Sequence, residues 1–193
     1  MQTSFSAGLP GNPDIAEAET GTMKLNIAEI NLPELVNDVL DLYQIIAEEK
    51  KINLQTQMPD ELHLLADRVR IQQALANLVD NAIKYTPEGG QVQIAISKAD
   101  NQVEIAVKDN GRGIPDDELP RIWDRLYRGD KSRNEKGLGL GLSLVKAVVQ
   151  AHQGSVEVAS AVEQGSVFTM HLPLVPQGHT VPVQILEKEL VAQ

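Results

Sequence analysis

The sequence predicts an α+β domain, with about three helices over a mixed, mostly antiparallel sheet of about five strands. Three observations predict it. Apolar residues recur at helical spacing, as Leu35, Val39, Leu42 and Ile46 and again as Ile71, Leu75, Leu78 and Ala82. Two pairs of segments alternate at period two, and each pair brackets a turn. The connections between these segments are long, and one face of the sheet is covered.

Composition bounds the function classes. The chain has 193 residues, enough for one domain with a sizeable core or one domain with tails. Hydrophobic residues are 42% but aromatics only 3%, so Ala, Val, Ile and Leu must build the core. The formal net charge of −10 argues against nucleic acid as the main partner. An acidic protein that handles an anion must place its positive groups locally. Cysteine is absent, which excludes thiol catalysis and Cys-ligated zinc and fits a reducing compartment. No apolar run reaches the roughly 18 residues of a membrane span. Residues 1–13 lack the basic start and apolar centre of a secretory signal.

Along the chain, residues 1–13 are Gly/Pro-broken and read as a flexible leader. Residues 14–19, D-I-A-E-A-E, favour a helix but are too short to hold one alone. Residues 23–30 alternate as a strand. Asn31 stands where a helix cap belongs, with Pro33 and Glu34 in the first turn, and this helix runs to about Lys51. Residues 52–57 and 62–66 are strands either side of a Pro59-Asp60 turn. Asp67 caps a second helix, which Pro87 and Gly89-Gly90 stop after Thr86. Val92, Ile94, Ile96 and Val103, Ile105, Val107 make a hairpin turned at Asp100-Asn101. A short helix is expected over 116–123. A charged, mobile loop is expected over 125–136, with Leu126 its single apolar residue. Residues 137–142, G-L-G-L-G-L, lead into a third helix ending at His152. A last hairpin, 155–160 and 166–172, turns at Gln164-Gly165. Residues 177–193 form a tail with one helical turn at 185–190.

Three stretches carry chemistry. On the second helix Asn77, Asn81 and Lys84 line up at i, i+4 and i+7, opposite the apolar stripe. Carboxamide oxygens suit Mg²⁺ and an ammonium suits phosphate. Gly137, Gly139 and Gly141 alternate directly before a helix, where bare backbone N–H groups and the helix start favour an anion. This is neither a Rossmann nor a P-loop pattern. Asp109 ends a strand and opens D-N-G-R-G, where a carboxylate can accept an exocyclic amine. Singly, each stretch has an ordinary counterpart: a solvated polar face, a glycine hinge, an Asp-Asn-Gly turn.

Their order is specific. N-L-V-D-N-A-I-K-Y-T, D-N-G-R-G-I-P, I-W-D-R-L-Y-R and G-L-G-L-G-L resemble the N, G1, F and G2 boxes of the catalytic and ATP-binding domain of sensor histidine kinases, in the GHKL superfamily. The stretch H-Q-G-S-V-E-V-A-S to Q-G-S-V-F-T-M-H-L-P resembles that family's closing hairpin. The likeness covers residues 14–173.

This resemblance implies a two-layer sandwich of the Bergerat type, binding ATP between the asparagine helix and a lid. It implies that Asn81 holds Mg²⁺ with Asn77 in support, that Lys84 meets phosphate, and that Tyr85 lines the adenine site. Asp109 bonds the adenine amine, and Gly111, Gly113 and Ile114 shape that pocket. Gly137, Gly139 and Gly141, with Leu138, Leu140 and Leu142 between them, hinge the lid and touch phosphates. Arg128 and Arg125 stabilise charge on the transferred phosphoryl. The implied partners are a histidine phosphoacceptor and dimerisation domain of the same parent, which this chain lacks, and a response regulator downstream. No membrane contact by this chain is implied. The implied setting is cytoplasmic, with a parent that can be membrane-anchored, and this piece alone is expected to be monomeric. The implied boundaries are 1–22 for the leader and hairpin end, 23–176 for the catalytic domain and 177–193 for the tail.

Trp123 and Leu126 stand where phenylalanines are usual, and both are expected to pack. None of His63, His152, His171 and His179 is followed by an acidic residue, so all four read as structural or surface residues. ATP-hydrolysing relatives resemble E-x-x-x-N on this helix. Asn77 replaces that Glu here, and Asp80 is turned about 100° away. A nucleotide-gated interaction module is the non-enzymatic alternative.

Overall fold

The computed structural model describes residues 23–127, 139–176 and 178. The expected leader, the acidic piece 14–19, residues 128–136 of the charged loop and the tail's helical turn lie outside the described residues.

In chain order the elements are β1 (Ala28–Asn31), α1 (Leu32–Glu49), β2 (Asn53–Gln57), β3 (His63–Ala66), α2 (Arg68–Tyr85), β4 (Gln91–Ala99), β5 (Gln102–Asp109), α3 (Gly141–Ala151), β6 (Ser155–Ala161) and β7 (Gly165–Pro173). The main sheet has five strands in the order β2-β4-β5-β7-β6. Only β2–β4 is parallel, so the sheet is mixed and mostly antiparallel, as expected. The two candidate strands flanking Pro59-Asp60 part company. β2 joins the main sheet, while β3 pairs with β1 in a separate two-stranded sheet. Leu65 N–H donates to the Leu174 carbonyl, and Leu174 N–H donates to that of Asn101, which laces the small sheet to the large one.

The three helices cover one face of the main sheet. Val92, Ile94, Ile96, Val103, Ile105, Val107, Phe168, Met170 and Leu172 are buried beneath Leu75, Leu78 and Val79 of α2 and Val145 and Val148 of α3. Burying whole aliphatic side chains supplies about 1.5–3 kcal/mol each before entropy is subtracted, which compensates for the shortage of aromatics.

Two contacts set the helix directions. Arg68 at the start of α2 pairs with Asp38 in the first half of α1, while Lys50, just past the end of α1, donates to the Ile83 and Lys84 carbonyls at 2.7 and 2.9 Å. So α1 and α2 run parallel, and a cation caps the carbonyl end of α2. At the other end of α2, Asp67 is the cap the sequence predicts. Its carboxylate accepts from Arg70 N–H at 3.1 Å and from Asn26 N–H at 2.8 Å. Its own N–H donates to Nε2 of His152, the residue that ends α3, at 3.0 Å. So α3 runs antiparallel to α2.

Four expectations are corrected. Residues 23–27 are not strand, because only residues 28–31 have a partner, in β3. Asn31 sits at the cap position of α1 but its side chain does not cap, and Pro33, at the second helical position, has no N–H to give it. Leu42 and Ile46 follow the predicted stripe, yet stand 64% and 49% exposed, with Ile45 beside them at 70%. The buried face of α1 instead continues from Val39 through Tyr43 to Ala47, so it turns away from Leu42 and Ile46. Residues 116–123 hold only a 3₁₀ turn at Leu119–Arg121, with Pro120 at its start.

His152 is 2% exposed, and burial pushes its imidazole below the ordinary value of 6.5. Nε2 accepts from Asp67 N–H and Nδ1 faces the Val148 carbonyl at 2.8 Å, so the folded state holds the neutral Nδ1–H tautomer. The unfolded chain therefore binds a proton more readily. The contribution is complete above about pH 6.5 and is lost as pH falls toward the depressed folded value. Thermal melts from pH 7.5 to 5.5 should show a fall in wild-type stability that His152→Gln, which lacks the titrating group, reduces. Equal slopes for both proteins would refute this assignment.

Candidate functional site

The site forms around α2, whose polar stripe is built by the same periodicity that buries its other side. Asn77 is oriented by its own helix. Its Nδ2 donates to the Gln73 carbonyl at 2.8 Å, which fixes the carboxamide and leaves its oxygen as an acceptor. That oxygen meets the start of α3, where a Cβ built on Gly141 would lie 2.9 Å from it. A side chain there would crowd Asn77, so glycine permits the approach. Asn81, one turn on, and Lys84 are half-buried. Lys84 Nζ lies 5.0 Å from the centroid of the Tyr85 ring.

Beyond the end of α2 lies the loop after β5. Arg112 N–H donates to the Tyr85 carbonyl at 3.3 Å, and its guanidinium lies 4.3 Å from the Tyr85 ring centroid. Gly111 has no room for a Cβ, which would stand 2.5 Å from the Tyr85 carbonyl oxygen. Asp109 is buried at 6% exposure. Its carboxylate accepts from Gly111 N–H at 2.8 Å and from Ser166 N–H. Burial nevertheless pushes its carboxyl above the ordinary range, and those two donors offset this only in part.

The β6–β7 turn closes the other side. Glu163 N–H donates to the Arg112 carbonyl at 2.8 Å, and Ile114 N–H donates to Ser160 Oγ at 2.8 Å. Gly113 has φ +67° and a Cβ there would stand 1.9 Å from the Ala161 oxygen; at Gly165, φ +87°, it would stand 2.0 Å from the Asp109 oxygen. Both positions need glycine for conformation and for space.

The structure thus brings Asn77, Asn81, Lys84, Tyr85, Asp109, Gly111, Gly113 and Ile114 to one end and one face of α2, with Gly139, Leu140, Gly141 and Leu142 at the start of α3. Arg125 is exposed on the segment before the charged loop. Arg128, Gly137 and Leu138 lie outside the described residues. The expectation for the F-like segment holds in half. Trp123 packs edge-on against Phe168, with centroids 6.0 Å apart. Leu126 does not pack: it is 64% exposed, at φ +60°, with its N–H on the Gly139 carbonyl. Sequence reasoning missed Lys50, Arg112, Ser160, Gly165 and Ser166 as parts of the site. The Gly165-Ser166 pair at a hairpin turn was the one local signal, since the others act through contacts distant in sequence.

Among the described residues no group of three or more His, Asp or Glu side chains could hold a metal, and no helix is long and apolar enough to cross a membrane.

A buried carboxylate, an asparagine-bearing helix and a glycine-opened helix start thus lie together on one side of the domain. Residues 66–176 match the family of histidine kinase-, DNA gyrase B- and HSP90-like ATPases, and the chain belongs to that family. It is 37% identical over 166 residues to the adaptive-response sensory kinase SasA of Rippkaea orientalis, which covers 83% of this chain and 42% of SasA. The chain therefore spans less than half the length of that relative. The catalytic domain of histidine kinase ThkA superimposes with a TM-score of 0.73 at 29% identity, covering 80% of this chain and all of that one. ThkA has also been solved in complex with the response regulator protein TrrA; that kinase chain has a TM-score of 0.69 at 27% identity, covering 86% of this chain and 48% of its own. Full-length ShkA, solved in complex with AMPPNP, gives 0.75 at 29% identity, covering 86% of this chain and 35% of its own.

Gly113→Ala must move the Ala161 backbone or the loop itself. It should lower unfolding stability by about 1–3 kcal/mol, read from denaturant midpoints. A midpoint equal to wild type would show that the loop relaxes freely.

Proposed function

We propose that residues 23–176 are the ATP-binding catalytic domain of a sensor histidine kinase, moving the γ-phosphoryl of Mg²⁺-ATP to a histidine on a phosphoacceptor domain of the whole protein. The observation that carries this reading is the asparagine face of α2 set between the buried Asp109 carboxylate and the glycine-opened start of α3. Asp109 accepts the adenine amine, and Tyr85 lines the base pocket. Asn81 holds Mg²⁺, and Asn77, whose oxygen faces the start of α3, supports it. A carboxamide oxygen is a hard neutral donor, and with phosphate oxygens it would suit Mg²⁺. Lys84 meets phosphate, and the segment 137–142 covers it with backbone N–H groups. Arg128 and Arg125 neutralise charge as the bond from the γ-phosphorus to the bridging oxygen breaks and a bond from phosphorus to the acceptor imidazole nitrogen forms.

The acceptor belongs elsewhere. His63 and His171 lie on strands and His152 is buried against Asp67, so none of these three presents a free imidazole on a helix face. Transfer favours this reading over hydrolysis. Asn77 is no base, and Asp80 is placed toward Tyr43 of α1, whose hydroxyl it helps to raise after the larger effect of burial. The response regulator downstream, a cytoplasmic setting and a monomeric state for this piece complete the proposal, with residues 1–22 and 177–193 as flanking segments.

Calorimetric titration should show ATP binding that Asp109→Asn abolishes or weakens by at least about tenfold, the range expected when a buried charge-assisted hydrogen bond is lost. Undiminished affinity in Asp109→Asn would remove the adenine site from this position. With a separately supplied acceptor hairpin and γ-labelled ATP, label should appear on the hairpin and not on this chain. Asn81→Asp should weaken transfer, because it sets a carboxylate beside the triphosphate. Rapid hydrolysis that Asp80→Asn abolishes would instead favour an ATPase.

A further inference from the structure

One face of α1 is apolar and stands in solvent. Leu42, Ile45 and Ile46 are 64%, 70% and 49% exposed. At about 100° per residue they share an arc of about 100° on adjacent turns, beside the face that Val39, Tyr43 and Ala47 turn to the core. A single exposed aliphatic is ordinary on a protein surface, whereas three grouped on one helix form a patch of the kind that partners cover.

The rest of the outer surface of α1 is acidic. Glu34, Asp38, Asp41, Glu48 and Glu49 are exposed, and the helix holds no Lys or Arg. The cations that border it are engaged. Lys50 donates to the Ile83 and Lys84 carbonyls, Lys51 pairs with Glu88 at 2.6 Å, and Arg68 takes up Asp38 and Glu34. Glu48 accepts from the neutral Gln44 amide at 2.9 Å. Among the described residues no cation pairs with Asp41, Glu48 or Glu49, so the patch has an uncompensated negative rim.

That rim selects the occupant, because charges facing each other across an interface must be complementary. Residues 14–19, D-I-A-E-A-E, would bring three more carboxylates, and residues 185–190, I-L-E-K-E-L, two against one lysine. A second copy docked through the same face would set the acids of α1 against themselves. Anionic lipid is repelled for the same reason. A helix with an apolar stripe flanked by lysines or arginines satisfies both the patch and the rim when laid along α1.

We propose that the face formed by Leu42, Ile45 and Ile46 is a docking surface for a basic amphipathic helix of a partner protein. The proposed nucleotide site is built from α2, α3 and the loop after β5, so this surface stands independently of it.

The probe is a fluorescent peptide of leucine and lysine with the leucines at helical spacing, titrated with the full chain and followed by anisotropy. Wild type should bind it, and a peptide of the same composition with scrambled spacing should bind about tenfold more weakly. No binding by wild type overturns the proposal. Ile45→Asp is the deciding variant, since it removes apolar surface while adding negative charge. It should weaken binding by about tenfold or more; equal or tighter binding would show adhesion by charge alone and overturn the docking surface. Asp41→Lys combined with Glu49→Lys should weaken binding by about tenfold as well, and unchanged affinity would overturn the assigned chemistry of the partner. All three positions are exposed, and a far-UV spectrum equal to wild type checks the fold of each variant. Two further outcomes would overturn the choice of occupant. One is a wild-type dimer in sedimentation equilibrium that Ile45→Asp dissociates, which assigns the face to a second copy. The other is tighter peptide binding in Leu186→Asp combined with Leu190→Asp, which assigns it to the chain's own tail.

Discussion

Much of this structure depends on one buried carboxylate and the peptide that bears it. Asp67 caps α2 through Arg70, holds the incoming chain through Asn26, and gives its own N–H to His152 at the end of α3. A helix cap alone contributes about 1 kcal/mol. Here the same residue also joins two antiparallel helices at one end. A further contact between them, Asn77 with Gly141, lies two to three turns along α2. Clamping one end sets how closely the start of α3 approaches the asparagine face, and that approach is where the site opens. The imidazole can serve only while neutral, because Nε2 must accept.

The far end of α2 is built by a different device. Lys50 caps the terminal carbonyls, Arg112 stacks on Tyr85, and the loop after β5 docks its own N–H on the Tyr85 carbonyl. Two glycines then bring the β6–β7 turn into backbone contact with that loop. Asp109 is consequently held by backbone donors within a wall of peptide and hydroxyl groups. A carboxylate so buried is kept from water yet keeps acceptor capacity, which suits recognition of a neutral donor better than pairing with a cation. Family membership and the likeness to kinase catalytic domains accord with this arrangement.

The sequence was most legible where a feature is local. Helical stripes, period-two hairpins, the Asp67 cap and the order of the asparagine, aspartate and glycine stretches all express interactions between residues close in the chain. Misreadings cluster where a distant partner intervenes. Asn31 looked like a cap, but its side chain makes no capping bond, and the first helical N–H goes to the distant Leu62 carbonyl. Leu126 looked like a packing residue, but a left-handed backbone tied to Gly139 turns it outward. Leu42 and Ile46 kept a helical periodicity and lost their burial, since the face that meets the core runs through Val39, Tyr43 and Ala47.

By itself, then, the sequence determined the three long helices and the two hairpins, which face of α2 is polar, and where glycine frees the backbone. These follow from steric and periodic rules that act over a few residues. Only the tertiary structure decided that β2 runs parallel to β4, that His152 meets Asp67 across 85 residues, and that the Ser160 hydroxyl meets the Ile114 N–H and the Gly165 carbonyl. The physical reason is that a hydrogen bond's partner and direction depend on which donors and acceptors folding brings within about 3 Å, and chain order alone does not specify that.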